Sequence, residues 1–267
     1  SAERVFEFLD APEEEEVMNE EIHTPIRSIE FKNVDFGYEP GQTVIKDLSF
    51  KVNEGETVAI VGQTGAGKTT LVNLLLRFYD ITSGEILING IDIREVSREN
   101  LRKHFGMVLQ DTWLIQGTIY DNIIYGNLNA SEEDVIRSSK QAYAHHFITS
   151  LPNGYETELN EEATNISQGQ KQLLTIARAF ISDPAILILD EATSSVDTRT
   201  EQLIQKGMRN LMSGRTNFVI AHRLSTIVGA DMILVMEQGQ IVEQGTHKQL
   251  MDQKGKYFDL YQSQFME

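Results

Sequence analysis

Apolar residues recur along this chain with two periods, and each change of period marks an element. Ala2, Val5, Phe6 and Leu9 share one helical stripe that Pro12 closes, and an acidic run from Glu13 to Glu16 follows as a solvated linker. From Ile29 the period drops to two: Ile29 and Phe31, then Val34, Phe36 and Tyr38, and beyond the Glu39-Pro40-Gly41 turn Leu48, Phe50 and Val52. That alternation predicts antiparallel strands with one buried face. Residues 57–61 form an unbroken apolar, β-branched run, which a parallel strand buried on both faces needs. Leu71, Leu74, Leu75 and Phe78 then return to helical spacing. Residues 85–93 read as a hairpin with Asn89-Gly90 at its tip, and residues 104–110 as another short strand.

From residue 111 to about 166 the pattern is helical. Ser131 with Asp134 starts one helix as a capping box, and Val135, Ile136, Ala142 and Phe147 follow. Ser167 with Gln170 starts another, which runs through Leu173, Leu174, Ala177 and Phe180 and stops before Asp183-Pro184. Residues 185–189 and 217–221 are further buried strands, with a helix capped by Asp197 between them. A hairpin around Gln238-Gly239 and a final helix capped by Thr246 and Gln249 complete the chain.

Composition narrows the options. The 267 residues, 40% hydrophobic, suit one large domain or two lobes sharing a site. Cysteine is absent, which excludes disulfides, cysteine-based zinc sites and cysteine nucleophiles. The net charge of −17 repels nucleic-acid phosphates and argues against a general DNA- or RNA-binding role. Apolar runs fall short of the ~18 residues of a membrane span. The charges at Glu3, Arg4, Glu7 and Asp10 do not suit a signal peptide. The chain opens at Ser1 in mid-pattern, as a fragment of something longer does, and reads as a soluble, cytosolic-type domain.

The candidate chemistry centres on Gly62-Gln63-Thr64-Gly65-Ala66-Gly67-Lys68-Thr69, which fits the phosphate-binding loop G-x-x-x-x-G-K-[ST]. It stands between a predicted strand and a predicted helix, as that chemistry requires. Glycines let backbone N–H groups turn onto phosphates, and the helix end adds its positive dipole. Lys68 is expected to reach the β- and γ-phosphates of a nucleotide and Thr69 to offer a hydroxyl to Mg²⁺. Asp190 and Glu191 follow the 185–189 strand, at the edge where α/β proteins bind ligands. Asp190 suits Mg²⁺ through water, and Glu191 is placed to take a proton from an attacking water. His222, after the next strand, is either a structural histidine or one facing the γ-phosphate. Tyr38 either packs at its strand end or stacks on a base. Ser167 and Gly169 lie at a helix start that is either an ordinary cap or an anion-attracting end. His145 and His146 project apart with no partner at ligand spacing, and read as surface or half-buried residues.

The phosphate loop, Gln110, the Ser167-Gln168-Gly169-Gln170 element, residues 186–192 (ILILDEA) and His222 occur in the order of a known family. From about Ser28 to the C-terminus the chain resembles the nucleotide-binding domain of an ABC transporter. Within that family it resembles the exporter type, through residues 116–119 and 121–123 and the segment 157–161. The resemblance implies an α/β fold: a P-loop NTPase core of RecA-like type, with an N-terminal antiparallel β subdomain and an α-helical subdomain inserted at about 111–172. Residues 1–27 are then a linker from a preceding transmembrane helix. The resemblance also implies ATP and Mg²⁺ as cofactors. Tyr38 stacks on adenine, and Gly62, Gln63, Thr64, Gly65, Ala66, Gly67, Lys68, Thr69 and Thr70 bind phosphates and Mg²⁺. Gln110 senses Mg²⁺, γ-phosphate and the membrane domain. Asp190 holds Mg²⁺, Glu191 polarises water and His222 holds the γ-phosphate. Residues 194–197 contact a second nucleotide-binding domain, on whose nucleotide Ser167, Gly169 and Gln170 close. Partners are that domain and the transmembrane domain, on the cytoplasmic side of a membrane.

Three positions depart from the family's pattern. Gln168 replaces a glycine of the signature element, and Asn160 and Ala163 replace two glycines of the preceding segment. An altered signature beside an intact phosphate loop, Asp190, Glu191 and His222 resembles one half of a heterodimeric exporter. The competing readings are a soluble ABC-type ATPase acting on nucleic acid or ribosomes, and a small-molecule kinase. The acidic charge opposes the first and the S-x-G-Q helix the second.

Overall fold

The two apolar periods become two kinds of sheet. The computed structural model describes residues 2–10, 20–109, 112–160, 163–190, 196–220 and 224–265. Helix α1 (Ala2–Leu9) precedes the strands β1 (Ser28–Phe36) and β2 (Ile45–Asn53). β3 (Thr57–Val61) leads through the phosphate loop into α2 (Lys68–Leu75), and β4 (Ser83–Ile88), β5 (Ile91–Asp92), α3 (Arg98–Arg102) and β6 (Phe105–Val108) follow. Next come β7 (Gly117–Thr118), α4 (Ile119–Ile124), α5 (Glu132–Gln141), α6 (His145–Ser150), β8 (Glu158–Leu159) and α7 (Gln168–Ser182). The last third holds β9 (Ile186–Asp190), α8 (Thr198–Met212), β10 (Thr216–Ile220), α9 (Leu224–Gly229), β11 (Met232–Glu237), β12 (Gln240–Gly245), α10 (His247–Gln253) and α11 (Lys256–Phe265).

The alternating stretches pair as an antiparallel sheet in the order β2-β1-β4-β5. Phe31 lies opposite Phe50, their rings stacked at 4.5 Å. The break in alternation between Phe31 and Val34 is a bulge, with Asn33 at φ 46°. The unbroken apolar runs form the second sheet, in the order β12-β11-β3-β10-β9-β6, parallel except for the edge strand β12. Its central strands β3, β9 and β10 are buried on both faces, and successive residues feed two different cores. Ala59, Val61, Leu187, Leu189 and Val219 join the helices α4 to α8. Val58, Ile60, Ile188, Phe218 and Ile220 join α2 and the antiparallel sheet.

Two elements differ from the sequence expectation. The second strand of the 85–93 hairpin stops after two residues, because the Asp92 carboxylate accepts from Arg94 N at 2.9 Å and caps a 3₁₀ turn over residues 93–95. The final helix is two. α10 does carry the Thr246–Gln249 capping box, but Lys254 at φ 52° ends it. α11 then starts where the Glu243 carboxylate accepts from the backbone of Lys256 and Tyr257. Tyr257 is fully buried, its hydroxyl 2.7 Å from His247 Nδ1, and burial pushes its pKa up to about 12.

Candidate functional site

The register of the parallel sheet sets Asp190 beside the start of the phosphate loop. Ile60, Ile220 and Asp190 lie level on the adjacent strands β3, β10 and β9. The phosphate loop therefore leaves the sheet one residue beyond the row that holds Asp190. Val108 pairs with Leu189, so the chain leading to Gln110 departs from the same edge. Gln110, Glu161, Glu191, Ser194 and His222 lie outside the described residues.

The loop needs glycine for two separate reasons. Gly62 is held at φ 152°, and a Cβ there would stand 2.3 Å from the Met236 carbonyl oxygen. Gly67, at φ 105°, is the N-cap of α2, with Ile45 Cδ1 3.0 Å from where a Cβ would be. Between them Gln63, Thr64 and Gly65 are exposed and Ala66 is buried. The Lys68 ammonium folds back into this loop and donates to Gly62 O at 2.7 Å and Gln63 O at 3.0 Å. Burial lowers the Lys68 pKa, and the Asp190 charge opposes that shift. The lowered pKa marks an ammonium whose charged form an anion beside it would favour. Thr69 is exposed at the start of α2, while Thr70 is buried. Left-handed glycines, an ammonium, the Thr69 hydroxyl and a carboxylate make a donor set that fits a polyphosphate with a divalent cation.

Tyr38 stands beside this loop, about half exposed, with its hydroxyl 3.0 Å from Thr70 Oγ1. Its ring meets Phe36 and Tyr79 edge-on, at 4.9 and 5.0 Å. One aromatic face is thus presented next to the phosphate loop. Tyr79 was not singled out from the sequence; the signal for it was an aromatic just past the helix that follows the loop.

The predicted capping box at the start of α7 forms. Ser167 caps α7, its hydroxyl accepting from Gln170 N while Gln170 Oε1 accepts from Ser167 N. The Gln168 side chain turns sideways and donates to Thr112 Oγ1 at 3.1 Å. The segments 116–119 and 157–159 prove to be neighbours: Gly117 pairs with Leu159 and Thr118 with Glu158. Arg178 of α7 donates to Asn122 O, Asn122 Oδ1 and Trp113 O over the Tyr125 ring. His145 is half-buried with Nδ1 2.8 Å from the Tyr155 hydroxyl, and His146 is exposed.

Comparison with known proteins agrees with this geometry. The ABC transporter family profile matches residues 45–194. A fatty acid ABC transporter ATP-binding/permease protein of Mycobacterium bovis is 55% identical over 97% of this chain and 41% of its own length. An ATP-dependent lipid A-core flippase of Methylobacillus flagellatus is 48% identical over 99% of the chain and 46% of its own. The solved structure of a bacterial Atm1-family ABC exporter with ATP bound superposes with a TM-score of 0.90 at 43% identity, covering all of this chain and 47% of that one. The chain thus spans less than half the length of these relatives. Among the described residues no helix is long and apolar enough to cross a membrane.

Proposed function

The chain belongs to the ABC transporter family as its ATP-binding domain, and from that premise we propose that it hydrolyses ATP to power export across a membrane. The carrying observation is the Lys68 ammonium, held by Gly62 O and Gln63 O in a loop of left-handed glycines at the strand ends where Asp190 lies. In this reading Lys68 exchanges those two carbonyls for phosphate oxygens, and the loop's backbone N–H groups hold the rest. Thr69, Asp190 and Gln110 are the residues to hold Mg²⁺, which when bound neutralises phosphate charge. Glu191 accepts the proton of the attacking water, and His222 donates to the terminal phosphate. Tyr38 offers its exposed face to the adenine ring.

Residues 28–267 form the nucleotide-binding domain, with a helical subdomain at about 111–172, and residues 1–27 lead in from a transmembrane part on the cytoplasmic side. A second such domain completes the assembly: residues 194–197 contact it, and Ser167, Gly169 and Gln170 close on its nucleotide. Gln168 in place of glycine favours a different chain as that second domain. Among the relatives are a fatty acid transporter ATP-binding/permease protein and a lipid A-core flippase, which supports export over action on nucleic acid or ribosomes. Glu191→Gln is expected to keep ATP binding and to lower turnover by roughly 10²–10⁴-fold. Lys68→Ala is expected to lose ATP affinity itself. Unchanged turnover in the first variant, or an unaltered ATP titration in the second, overturns the respective role.

A further inference from the structure

The first turn of α7 is gripped from two sides. On one flank Gln168 Nε2 donates to Thr112 Oγ1. On the other, buried Gly169 faces the start of α8, where a Cβ on residue 169 would stand 2.4 Å from Thr200 Cγ2 and 2.8 Å from Val196 Cγ1. Carbon atoms in contact normally keep about 3.5–4.0 Å. Gly169 lies inside α7, in ordinary helical backbone, so its need for glycine comes from these two side chains and not from its φ. The α8 end is capped in turn. The Asp197 carboxylate accepts from Arg199 N at 3.1 Å and from Thr200 N at 3.0 Å, which holds the backbone that carries the Thr200 side chain.

We propose that Thr200 and Val196 are positioning residues for the first turn of α7. They hold Gly169 at a depth only glycine allows, so that this turn and the first turn of α8 move as one piece. The purpose of the coupling rests on the reading above. Ser167, Gly169 and Gln170 are then carried toward a second domain's nucleotide together with Asp197, and neither turn closes alone. The resemblance gives Gly169 a role toward the opposite nucleotide; the packing adds a requirement that exists within this chain before any nucleotide arrives.

Amide hydrogen exchange on the whole chain tests this. The informative amides are hydrogen-bonded ones: Gln170 and Lys171 in the first turn of α7, and Arg199, Thr200 and Glu201 in that of α8. Gly169→Ala is expected to speed exchange in both turns by ~10-fold or more, as forced overpacking does. Combining it with Thr200→Ala and Val196→Ala removes the opposing methyls and is expected to restore both turns to within ~3-fold of the parent. Exchange that rises only in α7, or that the added substitutions leave fast, overturns the proposal. Mg-ATP added to the parent is read separately as protection over residues 62–70. Its absence counts against the nucleotide reading and leaves the coupling result intact.

Discussion

Lys68 carries the sharpest single-residue consequence. Burial holds its pKa below the ordinary lysine value of 10.5. A phosphate placed beside it favours the charged form, so the pKa rises on binding. Between the two values ATP binding therefore takes up a proton, and affinity falls as pH rises. Calorimetry in two buffers of different ionisation heat is expected to show proton uptake in the alkaline range below the ordinary lysine value, and Lys68→Arg to abolish it. Asn160 and Ala163 stand where the resemblance expects glycines, and the structure shows how they are accommodated. Ala163 keeps a left-handed φ of 47°, while the Asn160 side chain clamps the turn through Thr164 N and Oγ1, both at 2.7 Å. Asn160→Ala is expected to cost about 0.5–1.5 kcal/mol in unfolding experiments, and Ala163→Gly to recover part of it. The Ser167 cap could be read from sequence because its reason is local, and the phosphate-loop glycines because their spacing fits a known pattern, although Met236 and Ile45, which crowd them, lie far along the chain. Thr112 and Thr200 could not, because Gln168 and Gly169 meet them only after folding has brought distant segments together.

Elements were legible wherever their period was long and unbroken, as in α7, β9 and β10. They were misjudged where one side chain ended them early, as Asp92 ends β5. The segment before β1 shows another limit. Its sequence reads as a linker, yet residues 20–28 are pinned to the body. His104 Nε2 contacts Ile22 O at 3.0 Å, Asn100 accepts from Ile22 N, and Asn89 bonds Arg27 N, Ser28 N, His23 O and Pro25 O. Burial lowers the pKa of His104, and the nearby charges of Lys103 and His23 lower it further. The folded chain thus prefers the neutral ring. That stability is complete above the unfolded value of about 6.5 and is lost as pH falls through the lowered folded value. The thermal midpoint is expected to drop more steeply from pH 6.5 to 5 in the parent than in His104→Gln, which cannot titrate. Equal slopes would place the histidine charge outside this balance.

The net charge of −17 acts on the molecule as a body. Two such domains closing on nucleotide bring like charges together, and the Debye length shortens to about 10 Å at 0.1 M salt. ATP-driven pairing of the Glu191→Gln chain, followed by light scattering, is therefore expected to strengthen as salt rises toward ~0.15 M. A chain that binds ATP yet stays monomeric at every salt concentration points to a different partner chain. The alternation of the central sheet between two cores has a consequence of another kind. β3, β9 and β10 act as a watertight bulkhead: residues of one parity answer to the helices, and those of the other to the antiparallel sheet. Sequence drift can proceed in either compartment without notice in the other, since substitutions that share no contacts add independently. The rim of the bulkhead, where Gly62 and Asp190 stand, is where the two histories must agree.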